Sequence, residues 1–125
     1  MKDLLEKAHE STRDGRWDEA LAGYEAALSR SADAGSAADV ADITRRIGAI
    51  QVARGELDLA ADLFELSRTV AEINDLQAQV ANAMLGLASV AQSRGDLDGS
   101  EQLYLRAGAL AEAAGDLRTA AMAEQ

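Results

Sequence analysis

The chain has 125 residues, which is enough for one domain or a short stack of repeated units, and it carries a formal net charge of −10. It contains no proline and no cysteine, and 48% of its residues are hydrophobic but only 3% are aromatic. The lack of cysteine excludes disulfides and thiolate metal sites, and the acidic balance disfavours nucleic acid and anionic lipid as partners. The abundance of Ala, Leu, Asp and Glu predicts an all-α fold.

An internal repeat of 40 residues organises the chain. Each copy has a glycine, an aromatic residue nine positions later and a small residue three positions after that. In the three copies these residues are Gly15, Tyr24 and Ala27; Gly55, Phe64 and Ser67; and Gly95, Tyr104 and Ala107. Further turn signals lie halfway between the glycines, so each copy is predicted to form two helices.

Apolar spacings of three and four predict that each repeat has a first helix, A, and a second helix, B. In chain order we expect A at about 2–14, B at 17–33, A at 36–54, B at 57–74, A at 76–94 and B at 97–114, followed by a short last helix from Leu117. Glycine ends the helices at every turn except the one at Asn74 and Asp75, and connections of two or three residues require antiparallel packing. Ser36 and Asp39 have the spacing of a capping box at the start of the second A helix.

The chain resembles the tetratricopeptide repeat family, whose hairpin has Gly at the turn, Ala after five residues, an aromatic after four more and Ala after three. The matching residues are Gly15, Ala20, Tyr24, Ala27; Gly55, Ala60, Phe64, Ser67; and Gly95, Ser100, Tyr104, Ala107. The absence of proline and the period of 40 depart from the usual pattern. This longer form resembles the repeats of kinesin light chain and of bacterial regulatory proteins.

This resemblance implies a right-handed superhelical solenoid of three helix hairpins. The expected repeats are about 1–35, 36–75 and 76–115, with a partial capping helix at 116–125, in a single domain over 1–125. The register places the three aromatic residues Tyr24, Phe64 and Tyr104 in the core. Trp17 is expected to be partly exposed, because leucines occupy its equivalent positions in the other two copies.

The residues offer little for metal binding or catalysis. Glu6 and His9 could place two metal ligands on one helix face, but no second copy of that motif exists. Asp96 begins an acidic stretch that superficially resembles a calcium loop, but Gly99 is misplaced and position twelve is Ala107. With one histidine and no cysteine, no nucleophile has an adjacent base. We therefore predict a protein that is not an enzyme, with no catalytic residue, metal or cofactor.

The resemblance also implies a function, because A helices of this family line a concave groove that binds a partner peptide or helix. The corresponding positions here are Lys2, Leu5, His9, Thr12, Asp42, Arg45, Ala49, Val52, Asn82, Leu85, Ser89 and Gln92. Some family members grip chaperone C-termini with Lys and Asn, but this chain has Leu5 and His9 at those positions. The predicted function is therefore an adapter or scaffold for another protein or peptide, with chaperone-tail binding disfavoured.

The alternative is a structural role, in which copies of the chain associate through exposed repeat ends or the convex face. Leu117, Ala120, Ala121 and Met122 would begin a fourth A helix, which leaves apolar surface at one end. The first residues lack the apolar core of a signal peptide, and no stretch is apolar enough for a membrane span. We therefore expect a cytoplasmic protein with no membrane partner.

Overall fold

The computed structural model describes residues 2–115, which form six α-helices and no strand in that range. The helices are α1 (Lys2–Arg13), α2 (Trp17–Asp33), α3 (Ala37–Ala53), α4 (Leu57–Ile73), α5 (Gln77–Ser93) and α6 (Leu97–Ala113). The predicted bounds agree with these to within one or two residues. The predicted all-α solenoid is confirmed. The predicted capping helix at 116–125 lies outside the described residues.

The turns between these helices share one hydrogen-bond pattern. After α1, the Gly15 amide donates to the Thr12 carbonyl at 3.1 Å, and the Arg16 amide donates to the Ser11 carbonyl at 2.8 Å. This is a Schellman motif, and it requires a left-handed residue, which Gly15 supplies with φ of 72°. Asp75 takes the same role after α4 with φ of 56°, a region that Asp tolerates better than most residues. The chain therefore reverses direction within three residues between successive helices.

Sequential helices pack in antiparallel pairs, and the pairs stack. The pairs α1–α2, α3–α4 and α5–α6 form three hairpins, joined by packing of α2 on α3 and of α4 on α5. The two A helices α3 and α5 also contact each other directly. The A helices α3 and α5 therefore lie side by side in the stack, with the B helix α4 packed against both. No described helix is long and apolar enough to cross a membrane.

Small residues at the repeat positions allow the helices to approach closely around the aromatic side chains. Ala20, Ala60 and Ala107 are fully buried, and Tyr24 and Phe64 are each only 2% exposed. The expectation that all three aromatic residues lie in the core is wrong for Tyr104, which is half-buried. Tyr104 lies on α6, the last described helix, so no further described repeat packs over it.

The start of α3 differs from the capping box predicted for Ser36 and Asp39. Ser36 is the N-cap residue, but its side chain makes no capping hydrogen bond to the backbone. Its hydroxyl donates instead to Asp39 Oδ2 at 2.9 Å, so the predicted capping box does not form. Asp96, before α6, does cap its helix, because its carboxylate accepts the Gly99 amide at 2.9 Å. Trp17 at the start of α2 is half-buried, as predicted.

Candidate functional site

The twelve predicted groove residues lie on the three A helices, and none of them is fully buried. Three of them are exposed: Lys2, Ala49 and Gln92. The other nine are half-buried: Leu5, His9, Thr12, Asp42, Arg45, Val52, Asn82, Leu85 and Ser89. Because the set recurs with the 40-residue period, it follows equivalent positions on α1, α3 and α5. This surface can be reached by another molecule along its length.

Three of these residues also hold the helices together. Leu5 packs against the cluster that contains Tyr24, Leu85 against the cluster that contains Met84, and Val52 against the cluster that contains Phe64. A half-buried leucine or valine in such a position exposes part of its apolar surface while the rest is in the core. These side chains give the surface an apolar floor whose position is set by helix packing.

Charged residues of α3 form the centre of this surface. Asp42 accepts hydrogen bonds from Arg45 at 2.7 Å and from Arg46 at 3.0 Å. Burial alone would raise the pKa of Asp42, but hydrogen bonds and attraction from the two arginines outweigh it, so the pKa lies below its usual value. Asp42 is therefore a carboxylate held between two guanidinium groups at neutral pH.

Arg46 was not among the predicted groove residues. Its equivalents in the other copies are Glu6 and Gly86, so the repeat pattern gave no reason to expect a functional arginine there. The spacing of four residues from Asp42 to Arg46 is the signal that could have found it. The Nε of Arg45 is buried and has no hydrogen-bond partner within residues 2–115. Arg45 is therefore held by Asp42 through its terminal nitrogen, while its Nε stays enclosed by the protein.

His9 on α1 lies near this cluster. Its Nδ1 is 2.5 Å from the hydroxyl of the buried Tyr24. Partial burial, then repulsion from Arg46 and Arg13, lowers the pKa of His9, although Asp42 opposes the shift. The shift favours the neutral imidazole, which is hydrogen-bonded to Tyr24. Among the described residues, no three His, Asp or Glu side chains are grouped as a metal ion would require.

Concavities also lie among α4, α5 and α6. One has a volume of about 550 Å³ and is lined by Arg68, Glu72 and Arg106 over an apolar floor that includes Met84. The other also includes Arg68, and Leu103 from α6. Arg68 donates to Glu72 at 2.9 Å, so the lining has mixed charge and one of its cations is already paired.

The described architecture is that of an all-helical repeat protein. It is similar to the crystal structure of BtubC (BKLC) from P. vanneervenii, with a TM-score of 0.71 and 24% sequence identity. The match covers 96% of this chain and 58% of that chain, so this chain spans little more than half the length of BtubC. At this identity the likeness establishes the fold alone. No family model matches the chain, and no curated protein matches it in sequence.

Proposed function

We propose that this chain is a protein-interaction module of the tetratricopeptide type, acting as an adapter or scaffold. A partner peptide or helix would lie along the A helices α1, α3 and α5. The observation that carries the proposal is the accessible, polar and apolar surface on these helices, centred on Asp42, Arg45 and Arg46. A cytoplasmic location belongs to the same proposal.

The chemistry of this surface supports a peptide as the ligand. Apolar side chains such as Leu85 would contact partner side chains, while Ser89 and Gln92 offer hydroxyl and amide groups for hydrogen bonds. The helical-repeat likeness to BtubC, a kinesin light chain-like protein, supports an interaction scaffold at the level of the fold.

The alternative of end-to-end self-assembly is disfavoured by the ion pairs between repeats. Asp58 pairs with Arg94, and Asp18 lies 4.0 Å from Arg54, so each B helix start faces the A helix end of the next repeat. The next carboxylate in this series is Asp98. In a second copy stacked head to tail, the residue at the arginine position would be Asp14. Asp14 is already paired with Arg16 at 3.0 Å, so a head-to-tail contact would lack the ion pair that joins successive repeats within the chain.

The test begins with a peptide library selected on the folded chain, followed by titration of the selected peptides. Replacing Arg45 and Leu85 together with alanine removes one charged and one apolar contact of the proposed groove. We expect affinity to fall by about tenfold or more, the usual effect of losing central interface residues. The control variant replaces Arg106 and Leu105, an exposed pair on α6.

Leu85 also contributes to packing, so its replacement could disturb the fold. Circular dichroism is therefore needed to verify that both variants keep their helices. Unchanged affinity in the Arg45 and Leu85 variant would contradict the groove assignment. An equal loss in both variants would contradict it as well, because it would place the peptides outside the A helices.

A further inference from the structure

The outer face of α4 carries a row of exposed apolar side chains. Leu59, Leu66 and Ile73 are 46%, 53% and 75% exposed, and they follow one another at a spacing of seven residues. Seven residues make about two helical turns, so these side chains lie on one face of α4. The half-buried Leu63 and Val70 lie on the same side. These five residues are termed the α4 stripe.

Comparing α4 with the equivalent helices α2 and α6 shows whether folding requires the exposed apolar side chains. The three exposed stripe residues have no apolar counterpart of similar size in either of the other B helices. The positions equivalent to Leu59, Leu66 and Ile73 are Glu19, Ala26 and Asp33 in α2, and Gly99, Arg106 and Ala113 in α6. Both of those helices form without an apolar row, so the hairpin fold does not require one. The stripe is a property of the second repeat alone.

Acidic side chains border the stripe on its solvent side. Asp62 and Glu65 are exposed, and neither forms an ion pair within residues 2–115. The other nearby acids, Asp58 and Glu72, are already paired with Arg94 and Arg68. A partner that approaches the apolar row therefore meets two carboxylates that lack a counter-charge. A second copy of this chain would bring the same carboxylates, on a molecule of net charge −10.

We propose that the α4 stripe is a second docking surface, separate from the A-helix groove, for a basic amphipathic helix of another protein. An apolar seam of the partner packs along Leu59, Leu66 and Ile73, because a seven-residue spacing on one helix matches that of another helix packed alongside it. Lysine or arginine residues flanking that seam face Asp62 and Glu65. Apolar contact supplies affinity, and the carboxylates select a cationic partner.

The test uses two synthetic three-heptad peptides with leucines at the seam positions, one flanked by lysines and the other by glutamates. Fluorescence anisotropy measures their binding to the full chain. We expect the lysine peptide to bind and the glutamate peptide to fail. Leu66→Asp is expected to lower the affinity for the lysine peptide by about tenfold or more, the usual effect of losing a central interface residue. Leu66 is exposed, so this variant keeps its fold, which circular dichroism verifies.

Leu105→Asp is the matched control, because Leu105 is 64% exposed on α6 but does not belong to the stripe. The proposal expects no change in affinity for this control. An equal loss in both variants overturns it, since that result shows general attraction to an acidic protein. A light-scattering mass that doubles with concentration and reverts in Leu66→Asp also overturns it, because the occupant is then a second copy.

The double variant Asp62→Lys with Glu65→Lys tests whether the carboxylates select a cationic partner. We expect this pair of changes to exchange the preference, so that the glutamate peptide binds better than the lysine peptide. A lysine peptide that binds the charge-reversed chain as tightly as the original overturns the assignment of a cationic partner. The A-helix groove is left intact by all these changes, so the outcome is independent of the groove proposal.

Discussion

Phe64 on α4 fills the space that the absent side chain of Gly86 leaves on α5. The ring is 2% exposed, and a methyl group at Gly86 would overlap its Cδ1 and Cε1 atoms. On its other side lies Gly48 of α3, where an added Cβ would be 3.0 Å from Cε1. The ring thus joins the two A helices α3 and α5 to the B helix between them. The stacking of the second and third repeats depends on this fit.

Gly86→Ala is expected to destabilise the protein by about 1 to 2 kcal/mol. Alanine favours a helix interior by about 1 kcal/mol over glycine. Overpacking costs about 1 to 3 kcal/mol, and the close approach of the added Cβ to the Phe64 ring places this site in the upper half of that range. Urea unfolding followed by circular dichroism measures the change. Gly48→Ala, with its looser contact, is expected to be closer to neutral. A Gly86→Ala protein as stable as the wild type would contradict the packing argument, and adding Phe64→Leu is expected to relieve the overlap.

Ser67→Ala is expected to cost about 1 kcal/mol, because it removes one buried hydrogen bond. The Ser67 hydroxyl donates to the Ala41 carbonyl at 2.7 Å, which ties α4 to α3. Alanine fits the space, since Ala27 and Ala107 occupy the equivalent positions. Thermal unfolding measures the loss. Ser67→Val, which keeps no donor and adds volume, is expected to be less stable than Ser67→Ala. The opposite order would show that the site has spare volume.

Asp42→Asn tests the charged cluster through the pH dependence of stability. The pKa of Asp42 in the folded state lies below the ordinary value of 3.8. The stability that the ionised carboxylate contributes is therefore complete above pH 3.8 and is lost as the pH falls through the folded-state pKa. At pH 7 we expect the variant to be less stable by about 0.5 to 1 kcal/mol, a value reduced by solvent screening. Urea unfolding from pH 7 to pH 2.5 measures this. A difference that stays constant with pH would show that the arginines do not act on the carboxylate.

The pKa of His9 can be measured directly, because it is the only histidine in the chain. Proton NMR of the imidazole is expected to give a midpoint below 6.5, since burial and then Arg46 disfavour its charged form. Arg46→Ala should raise this pKa, and Asp42→Asn should lower it further. The folded state favours the neutral ring, so stability is complete above pH 6.5 and falls as His9 is protonated. A midpoint at or above 6.5 would contradict the placement of His9 beside the arginines.

Part of the proposed site could be predicted from sequence, because the repeat places equivalent residues on equivalent faces. The resemblance to tetratricopeptide repeats selected Asp42, Arg45 and Leu85 for the groove, and all three lie on A helices and are half-buried. Arg46 was missed because its role depends on Asp42 in the same helix and on His9 in the preceding repeat. The groove itself stays a prediction, which the peptide titrations test.

Sequence by itself determined the helices and their turns. A glycine such as Gly55 ends a helix through its own left-handed conformation, and the period of 40 then repeats that local event. Only the tertiary structure decided which side chains are covered. Phe64 and Tyr104 hold equivalent positions, yet one is buried between two A helices and the other is half-exposed. The burial of a side chain depends on helices that are distant in sequence, and the local sequence pattern does not show whether such a helix packs over it.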